Sequence, residues 1–525
     1  MNVFFSSTQC KPMRSIVNGL HVGTWSSAHH LSVYRSGAAD SHLSLSELQV
    51  RVHRVAQWLH AIGVKPHDRI GILSKNRLEW ILLDLASLYL GAVTAGFEPE
   101  PFEGRADLAA RYNLRLLCHD RACPAAQGAG DRSMPIEKIE EVSVAWPEQR
   151  AIAPARYGAI DICTIKFTSG STGESKALGA TVGSIDQSIN SAQRLFAHGP
   201  GDKLFVFLPL SLLQQRYWIY SALTFGHDIV VTSASLALDV VRREQPTVVM
   251  GVPAFFESLK ELITLEAETD AVAAGQQPDF RSAARRVLGD GIRYFWTGSA
   301  PARPDVLAFF DDACGIPIFE GYGLNETCIV TKNHPGAHRR GSVGRPVEGI
   351  EVKIGADGII QVYREHPVNT SYLYAPDGAS ERIFASDGSV VTGDLGYFDE
   401  EGYLYITGRA DDVVVLENGR NISVRPLEER IARLPGIRQV VVIGSGRPVL
   451  AALVNPSDGQ DLAAIRESVR RDGAIPNAES VAIVIPVPEG FSLENGLLTS
   501  QGKMRRKAIL DRYADDINRA YGDVR

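Results

Sequence analysis

The chain lacks the charge balance of a nucleic-acid-binding protein. Its 54 lysines and arginines are outnumbered by 61 aspartates and glutamates, so the formal net charge at pH 7 is −7. A general nucleic-acid binder carries a basic patch or stripe. The composition therefore argues against nucleic acid as the partner, and is compatible with a small basic surface for one phosphorylated partner.

Cysteine is scarce and shows no C-x-x-C pattern. The closest group, Cys118, His119 and Cys123, lacks a second ligand pair at a zinc-site spacing, so we predict no metal site there. Scattered thiols are typical of a reducing compartment, and we expect the protein to be cytoplasmic. The six cysteines stand at positions 10, 118, 123, 163, 314 and 328.

Long apolar runs are also missing. The N-terminal segment holds no hydrophobic stretch long enough for a signal peptide. The most apolar segment, Trp80–Phe97, contains Asp84 and ends in glycine-rich sequence, which predicts a buried helix and not a membrane span. At 525 residues the chain exceeds the size of one hydrophobic core, so more than one domain is expected.

Helical and extended patterns alternate along most of the chain. Residues 45–63 predict a helix with Ser46 as its N-cap. Short apolar runs, in DRIGIL, KLFVFLPL, HDIVVTS and PTVVMGVP, predict buried parallel strands. Residues 124–135 and 265–280 are rich in turn formers or polar residues and predict surface excursions. The first helix has one apolar face, which comprises Leu48, Val52, Val55, Ala56 and Leu59.

Beyond residue 390 the pattern changes to strand, strand, turn, helix and strand. The turn falls at Asn418-Gly419, a dipeptide that favours hairpins. From about Pro426 onward the chain is long enough for a compact α+β unit. We therefore predict an α/β fold, with a large N-terminal domain of layered sheets and helices (residues 1–410) and a small α+β C-terminal domain (residues 411–525).

A glycine-rich loop with several hydroxyls and a lysine, FTSGSTGESK, occupies Phe167–Lys176. Such loops bind phosphate oxygens through backbone N–H groups, hydroxyls and an ammonium group. The spacing differs from that of a P-loop, in which the lysine directly follows the second glycine and opens a helix. The loop therefore predicts phosphate binding of another kind.

The segment GYGLNET, residues 321–327, has the chemistry of a nucleotide site. It offers an aromatic ring, flexible glycines and a carboxylate. Glu326 is suited to a divalent cation, and Asn325 or Thr327 to phosphate, because Mg²⁺ in such sites takes few protein carboxylates.

Three charged residues further along the chain extend this set. Asp394 follows a predicted strand and can accept hydrogen bonds from two ribose hydroxyls. Arg409 comes fifteen residues later, and Lys503 lies in a glycine-containing loop among other cations. Each of these alone is weak evidence, since strand ends and solvated basic tails are common.

In their order, these motifs resemble those of the adenylate-forming superfamily, which comprises acyl-CoA synthetases, luciferases and carrier-protein-loading adenylation domains. The resemblance covers most of the chain. The segments FLPLSLL and ENGLLTSQGKMRRK are most similar to the fatty-acyl and long-chain branch. The motifs that carry the resemblance are GVKPHDRIGILSKNRLEW, FTSGSTGESK, WTGSAP, GYGLNET, TGDLGYFDEEGYLYITGRADD, ENGRNISVRPLEE and LLTSQGKMRRK.

The resemblance implies a role for each matching position in binding ATP. Gly298, Ser299 and Ala300 match the segment that lines the adenine pocket. Tyr322 matches the ring stacked on the base, with Gly323 beside it. The residues that match the loop around the β- and γ-phosphates are Thr168, Ser169, Gly170, Ser171, Thr172, Gly173 and Lys176.

It also implies the catalytic set. Glu326 matches the Mg²⁺ ligand. Its neighbours Asn325 and Thr327 match positions near the phosphates, and Lys176 contributes a positive charge. Asp394 and Arg409 match the ribose ligands. In the small domain, Asp411 falls at the hinge and Lys503 matches the mobile catalytic lysine.

The implied reaction has two steps. A carboxylate attacks the α-phosphorus of ATP and forms an acyl-adenylate and pyrophosphate, with Mg²⁺ and Lys503 stabilising the negative charge. A thiol then attacks the acyl carbonyl and releases AMP. Because Lys503 serves only the first step, the family rotates its small domain about the hinge between the steps.

Several positions depart from the family pattern. Ser175 and Ala177 replace the usual proline and glycine around Lys176, and Asn325 replaces a threonine. Leu212 stands where many relatives have histidine or an aromatic residue in the acyl pocket. The segment FLPLSLLQQRYW has no aspartate for an amino group, which argues against a free amino acid as substrate.

Other side chains in that segment are expected to be structural. Gln214, Gln215 and Arg216 either face the acyl pocket or lie on a helix surface, and we favour the surface. Tyr217, Trp218 and Trp296 are expected to pack in the core, although together they could line an aromatic pocket.

Three functions remain open from the sequence. The first is an AMP-forming ligase that joins a hydrophobic acid to coenzyme A, and the second is one that loads the phosphopantetheine of an acyl carrier protein. The third is a non-catalytic nucleotide-binding homologue, which the changes at Ser175, Ala177 and Asn325 suggest. Retention of every charged residue of the catalytic and ribose-binding set weighs against it.

Overall fold

The computed structural model describes residues 13–37, 39–102, 105–121, 132–147, 152–168, 175–457, 459–471, 481–492, 494–498 and 504–522. These residues form two compact units. The first contains the described residues up to 351 together with 363–390, and the second contains residues 352–362 and those from 391 onward. The domain boundary predicted from the sequence, between residues 410 and 411, separates a domain that is expected to move. That boundary stays a prediction.

The first unit is built of parallel strands and the helices between them. Its strands are β1 (His30–Val33), β2 (Ser41–Ser44), β3 (Arg69–Leu73), β4 (Val93–Phe97), β5 (Leu116–His119), β6 (Ser133–Pro135), β7 (Ile162–Thr168), β8 (Lys176–Thr181), β9 (Lys203–Val206), β10 (Asp228–Val231), β11 (Val248–Gly251), β12 (Tyr294–Thr297), β13 (Ile318–Leu324), β14 (Cys328–Lys332) and β15 (Arg345–Pro346). Its helices are α1 (Ile16–Gly19), α2 (Leu45–Ala61), α3 (Leu78–Leu90), α4 (Pro99–Phe102), α5 (Leu108–Arg111), α6 (Lys138–Ala145), α7 (Val182–Phe196), α8 (Leu213–Phe225), α9 (Ala237–Glu244), α10 (Pro253–Ala274), α11 (Phe280–Leu288) and α12 (Pro304–Ala308).

Within the described residues these strands form two sheets. The larger has the order β15-β14-β13-β12-β11-β9-β10-β1-β2, and it is parallel from β13 to β1. The smaller has the order β6-β5-β3-β4-β7-β8 and is parallel except for β8. The predicted α/β class is confirmed, and the four predicted parallel strands are β3, β9, β10 and β11.

Helix α2 has the predicted apolar face but a different N-cap. All five residues predicted for that face are buried. The cap is Ser44 and not Ser46, because the Ser44 hydroxyl accepts from the Glu47 N–H at 3.2 Å while the Glu47 carboxylate accepts from the Ser44 N–H at 2.8 Å. This reciprocal pair is a capping box.

The most apolar segment of the sequence divides into two elements. Helix α3 is buried along its whole length, as predicted, and ends at Gly91, whose φ of 78° lets the chain turn into β4. Among the helices that the structure describes, none combines the length and low polarity needed to cross a membrane.

The prediction of a surface excursion at residues 265–280 was wrong for residues 265–274, whereas residues 275–279 form a mostly exposed connection. These residues continue α10 to Ala274, and the helix ends at Gly275, whose φ is 64°. Ala267 and Ala271 are buried on one side of the helix, whereas Leu265 and Val272 are exposed on the other. An alanine-rich, charged segment of this kind is a good helix former, which the emphasis on turn residues overlooked.

The prediction that Arg216 and Gln215 lie on a helix surface was also wrong. Arg216 is 0% exposed and Gln215 is 5% exposed. The Arg216 Nη1 donates to Asp84 Oδ1 and to Thr164 Oγ1, both at 2.9 Å. Its guanidinium carbon also lies 5.1 Å from the centroid of the Trp80 ring. Helix α8 is therefore buried on the side that we predicted to be exposed.

The second unit has smaller sheets. Strands β16 to β19 form one sheet in chain order, β20 pairs with β21, and β22-β23-β24 form a third sheet. The predicted succession of strand, strand, turn, helix and strand is confirmed by β19, β20, Asn418-Gly419, α13 and β22. The elements are β16 (Ile350–Ile354), β17 (Ile359–Arg364), β18 (Val390–Phe398), β19 (Leu404–Arg409), β20 (Val413–Val415), β21 (Asn421–Ser423), α13 (Arg425–Ile431), β22 (Ile437–Ile443), β23 (Leu450–Pro456), α14 (Leu462–Arg471), β24 (Val481–Pro486), α15 (Arg506–Arg512) and α16 (Ala514–Gly522).

The substitution Arg216→Met tests the buried ion pair. It leaves the Asp84 carboxylate buried without its cation, so we expect the free energy of unfolding to fall by about 3–5 kcal/mol. Urea unfolding followed by circular dichroism measures this loss. The double variant Asp84→Leu/Arg216→Met should lose less, because no unpaired charge remains.

The control is Arg242→Met, which removes the exposed ion pair with Glu266 and should cost at most about 1 kcal/mol. Equal unfolding midpoints for Arg216→Met and this control would contradict the importance of the buried pair.

Candidate active site

The predicted adenine-pocket residues lie at one edge of the larger sheet. Strands β12 and β13 are parallel neighbours, so their carboxyl ends meet at the same edge. Gly298, Ser299 and Ala300 follow β12 directly, and Tyr322 and Gly323 lie in the last part of β13. The crevice at the carboxyl ends of parallel strands is where α/β proteins commonly bind ligands.

The backbone at this edge has little free space. A Cβ at position 298 would lie 3.3 Å from the Gly321 carbonyl oxygen. Ser299 has a φ of 70°, which is uncommon for a residue other than glycine. The ladder between β13 and β14 also shifts register between Tyr322 and Gly323. Strained backbone of this sort concentrates at functional sites.

Strands β13 and β14 form a hairpin whose tip carries Asn325, Glu326 and Thr327. Thr327 is buried, and its hydroxyl accepts from the Leu324 N–H at 2.9 Å. Asn325 and Glu326 are partly exposed. The Thr327 side chain thus stabilises the turn, and Asn325 and Glu326 stay partly accessible to solvent.

Glu326 is oriented by a residue that the sequence did not identify. The Tyr372 hydroxyl donates to Glu326 Oε1 at 2.5 Å. Burial raises the pKa of Tyr372, and the neighbouring Glu326 carboxylate raises it further, so the hydroxyl keeps its proton. Lys176 Nζ lies 5.1 Å from the centroid of the same ring. Tyr372 therefore brings together the carboxylate and the loop lysine, which lie 150 positions apart in the chain.

The buried Lys166 and the partly buried Arg364 support the base of the hairpin. Arg364 donates to the Ile329 carbonyl at 3.2 Å and to Gln187 Oε1 at 2.8 Å. Lys166 donates to the Cys328 Sγ at 3.5 Å. Burial alone would raise the pKa of the Cys328 thiol, but the charges of Lys166 and Arg364 lower it. The base of the hairpin is thus held by side chains from β7 and from the last position of β17.

The predicted ribose ligands lie side by side in the second unit. Asp394 on β18 is paired in register with Arg409 on β19, and Arg409 Nη1 donates to Asp394 Oδ1 at 3.0 Å. Gly393, with a φ of 73°, approaches the same guanidinium, because a Cβ there would lie 3.2 Å from Arg409 Nη2. The structure therefore brings these two residues together.

Part of the predicted site falls beyond what the structure describes. The side chains of Thr168 and Asp411 are outside the description, although their backbones belong to β7 and to the turn after β19. The residues that lie wholly outside the described ranges are Ser169, Gly170, Ser171, Thr172, Gly173 and Lys503.

The aromatic residues near α8 pack in the core, as expected. Tyr217 and Trp218 are each 1% exposed, and the Trp218 and Trp296 rings meet edge to face with centroids 4.9 Å apart. Leu212 is partly buried and packs against the apolar core beside the larger sheet. Helix α8 thus combines these apolar contacts with the buried ion pair of Arg216 and Asp84.

A cavity of about 410 Å³ opens beside the start of β8. Its lining includes Ser175, Tyr372 and Arg111, so it reaches from the end of the glycine-rich segment to the partner of Glu326. Nothing in the sequence around Tyr372 and Arg364 distinguishes them from ordinary strand and loop residues, and only the fold reveals their position.

Comparison with curated proteins finds relatives over nearly the whole chain. A long-chain-fatty-acid–CoA ligase of Mycobacterium bovis is 28% identical, over 91% of this chain and 92% of its own length. A chloroplastic long-chain-fatty-acid–[acyl-carrier-protein] ligase of Arabidopsis thaliana is 24% identical, over 91% of this chain and 82% of its own length.

Comparison with solved structures supports the fold. The o-succinylbenzoate coenzyme A synthetase of Bacillus subtilis, solved in complex with ATP and magnesium ion, superposes with a TM-score of 0.75 at 21% identity. The match covers 91% of this chain and 96% of that one.

Two family models complete the comparison. Residues 411–525 match the model of the AMP-binding enzyme C-terminal domain. The AMP-binding enzyme model matches residues 26–359, which is more than half of the chain. The chain therefore belongs to the AMP-binding enzyme family.

Proposed function

We propose that the protein is an AMP-forming ligase that activates a hydrophobic carboxylic acid with ATP and transfers the acyl group to the thiol of coenzyme A. The observation that carries this proposal is the convergence of Gly298–Ala300, Tyr322 and the Glu326 hairpin at one sheet edge. The proposal assigns the adenine side to Gly298–Ala300 and Tyr322 and the phosphate side to Glu326, near the carboxyl ends of parallel strands, where α/β proteins commonly bind ligands.

The residues at the crevice fit a magnesium–ATP complex. Glu326 is a partly exposed carboxylate whose Oε1 is held by Tyr372, while its Oε2 has no hydrogen bond among the described residues. One protein carboxylate together with substrate phosphates is a usual Mg²⁺ environment. When bound, the ion would neutralise charge on the phosphates. Asn325 is the partly exposed donor beside Glu326, and Lys176 supplies an ammonium group.

Catalysis then depends on positioning and on stabilising charge. The acid oxygen attacks the α-phosphorus, pyrophosphate leaves, and Lys503 stabilises the charge that develops on the phosphate. Asp394 accepts hydrogen bonds from the ribose hydroxyls, and Arg409 holds that carboxylate in place. In the second step the thiol attacks the acyl carbonyl and AMP leaves, after the segment that carries Lys503 turns about Asp411.

Two observations support a fatty or other hydrophobic acid. Relatives that match about nine-tenths of this chain, from Mycobacterium bovis and Drosophila melanogaster, bear names of long-chain-fatty-acid–CoA ligases. Leu212 packs against an apolar core, and the segment 207–218 contains no aspartate to pair with an amino group. Coenzyme A is the favoured acceptor because most of these relatives are named as CoA ligases, and the carrier-protein ligase from Arabidopsis thaliana makes acyl carrier protein the second candidate.

ATP–pyrophosphate exchange tests the proposal directly. With Mg²⁺ present and coenzyme A absent, we expect exchange with fatty acids and none with free amino acids. Addition of coenzyme A or of a holo carrier protein then identifies the acceptor by release of AMP. Absence of exchange across fatty, aryl and amino acids would favour the non-catalytic homologue.

Glu326→Gln tests the metal ligand. The amide keeps the shape of the side chain but loses the negative charge, so the Mg²⁺ concentration for half-maximal exchange should rise by about tenfold or more. Tyr372→Phe removes the hydrogen bond that orients Glu326 and should shift the titration in the same direction by less. An unchanged magnesium titration for Glu326→Gln would remove this residue from the metal site.

Lys503→Ala tests the separation of the two steps. Loss of the ammonium group should slow adenylate formation by about a hundredfold or more. Thioester formation from a supplied acyl-adenylate should be largely kept, because its transition state does not need this charge. The control is Lys507→Ala, an exposed lysine paired with Asp511 on α15. An equal loss in both half-reactions would contradict the two-conformation mechanism.

A further inference from the structure

Lys332, the last residue of β14, is a buried lysine whose side chain spans three strands. It is 1% exposed. Its amine donates to the Phe319 carbonyl of β13 at 2.8 Å and to the Thr297 carbonyl of β12 at 3.2 Å. The same nitrogen lies 3.6 Å from the centroid of the Trp296 ring. One side chain of β14 thus contacts Thr297, the last residue of β12, and Phe319, the second residue of β13.

The crossing is possible because residue 321 is glycine. Gly321 is the register partner of Lys332 in the antiparallel pair β13–β14. A Cβ at position 321 would lie 2.6 Å from Lys332 Cδ, closer than real side chains approach. Gly321, the first glycine of GYGLNET, is therefore needed for space and not for a turn. It leaves room for the aliphatic part of the Lys332 side chain, its stem.

The two carbonyls that receive the amine precede the candidate adenine pocket. Thr297 is followed by Gly298, Ser299 and Ala300, and Phe319 lies three residues before Tyr322. The amine thus links β12 to β13 at the last two pairs of their ladder, Trp296–Phe319 and Thr297–Glu320.

Burying an amine at this position is energetically unfavourable, which suggests that the amine has a function there. Burial lowers the pKa of Lys332 well below its usual value, and the nearby Glu320 carboxyl offsets this only in part. Burial likewise raises the pKa of Glu320 to about 7. An apolar side chain would avoid this desolvation, as buried charged groups are tolerated only when paired. Unfavourable burial of this kind is frequent at functional sites.

We propose that Lys332 is a positioning residue for the nucleotide, which holds Gly298–Ala300 and Tyr322 at the spacing that the adenine ring requires. This inference rests on the proposed function, since it assigns a role within the same site. Lys332 does not touch the base and acts through the carbonyl groups of Thr297 and Phe319. The contribution is to nucleotide binding and not to recognition of the acid.

Isothermal titration of AMP into the full-length protein tests the proposal. Lys332→Met keeps the stem and removes the two hydrogen bonds, so the Kd for AMP should rise by about tenfold. In ATP–pyrophosphate exchange the KM for ATP should rise likewise, while the KM for the acid stays unchanged. The control is Lys260→Met, a lysine of α10 paired with Asp305, which should leave both values unchanged.

Gly321→Ala provides an independent variant. The added methyl group displaces the Lys332 stem and should weaken AMP binding as Lys332→Met does. In a Lys332→Ala background the same methyl group meets no stem, so the further loss should be smaller than in the wild-type protein. This non-additivity is not expected if the two residues act separately.

The outcomes separate the inference from the proposed function. If the wild-type protein binds AMP and both Lys332→Met and Gly321→Ala bind it equally well, Lys332 has only a structural role and the inference is wrong. A lower melting temperature with unchanged Kd leads to the same conclusion. If the wild-type protein itself binds neither AMP nor ATP, the proposed function fails, and the inference fails with it.

Discussion

The buried guanidinium of Arg216 connects the two sheets of the first unit. It lies on α8, the helix that links β9 to β10 in the larger sheet. It binds Thr164 on β7 of the smaller sheet and Asp84 on α3, the helix between β3 and β4 of that sheet. The Tyr220 hydroxyl completes the arrangement by donating to Asp84 Oδ2 at 2.5 Å. Because ionic hydrogen bonds in a dry interior require good geometry, this pair specifies how α8 sits on the smaller sheet.

The position of the candidate site follows from this connection. Strand β7 leads directly into the glycine-rich segment, whereas β12 and β13 of the larger sheet lead into Gly298–Ala300 and Tyr322. The glycine-rich segment therefore follows the smaller sheet, whereas Gly298–Ala300, Tyr322 and the Glu326 hairpin belong to the larger one. Lys166 on β7 reinforces the connection, since it reaches the Cys328 thiol at the base of the Glu326 hairpin. The packing between the sheets thus determines the distance between the two halves of the site.

Much of the fold could be predicted from local patterns. The short apolar runs became parallel strands because both faces of such sheets are covered, and α2 kept its apolar face because helical spacing is a local property. The cap at Ser44 was missed because two serines stand close together and only the Glu47 contact distinguishes them. The segment 265–280 was misassigned because alanine and glutamate favour a helix more than the neighbouring glycine and proline disfavour one.

Within the candidate site, the motif residues and their order were readable from the sequence, and so was the family. The partners of those residues were not. Tyr372, Arg364 and Lys166 reach the Glu326 hairpin from distant parts of the chain, and no local signal separates them from ordinary core or strand residues. No local sequence pattern predicts the burial of Arg216 or the packing of the Lys332 side chain against Gly321.

The sequence by itself thus determined the helices and strands, the glycine-rich loop and the chemical types of the site residues, because these depend on near neighbours along the chain. Tertiary structure alone decided which carboxylate is held by which hydroxyl and which polar side chains are buried. Those contacts join residues far apart in the chain, and their energy depends on the surroundings that the packed sheets create.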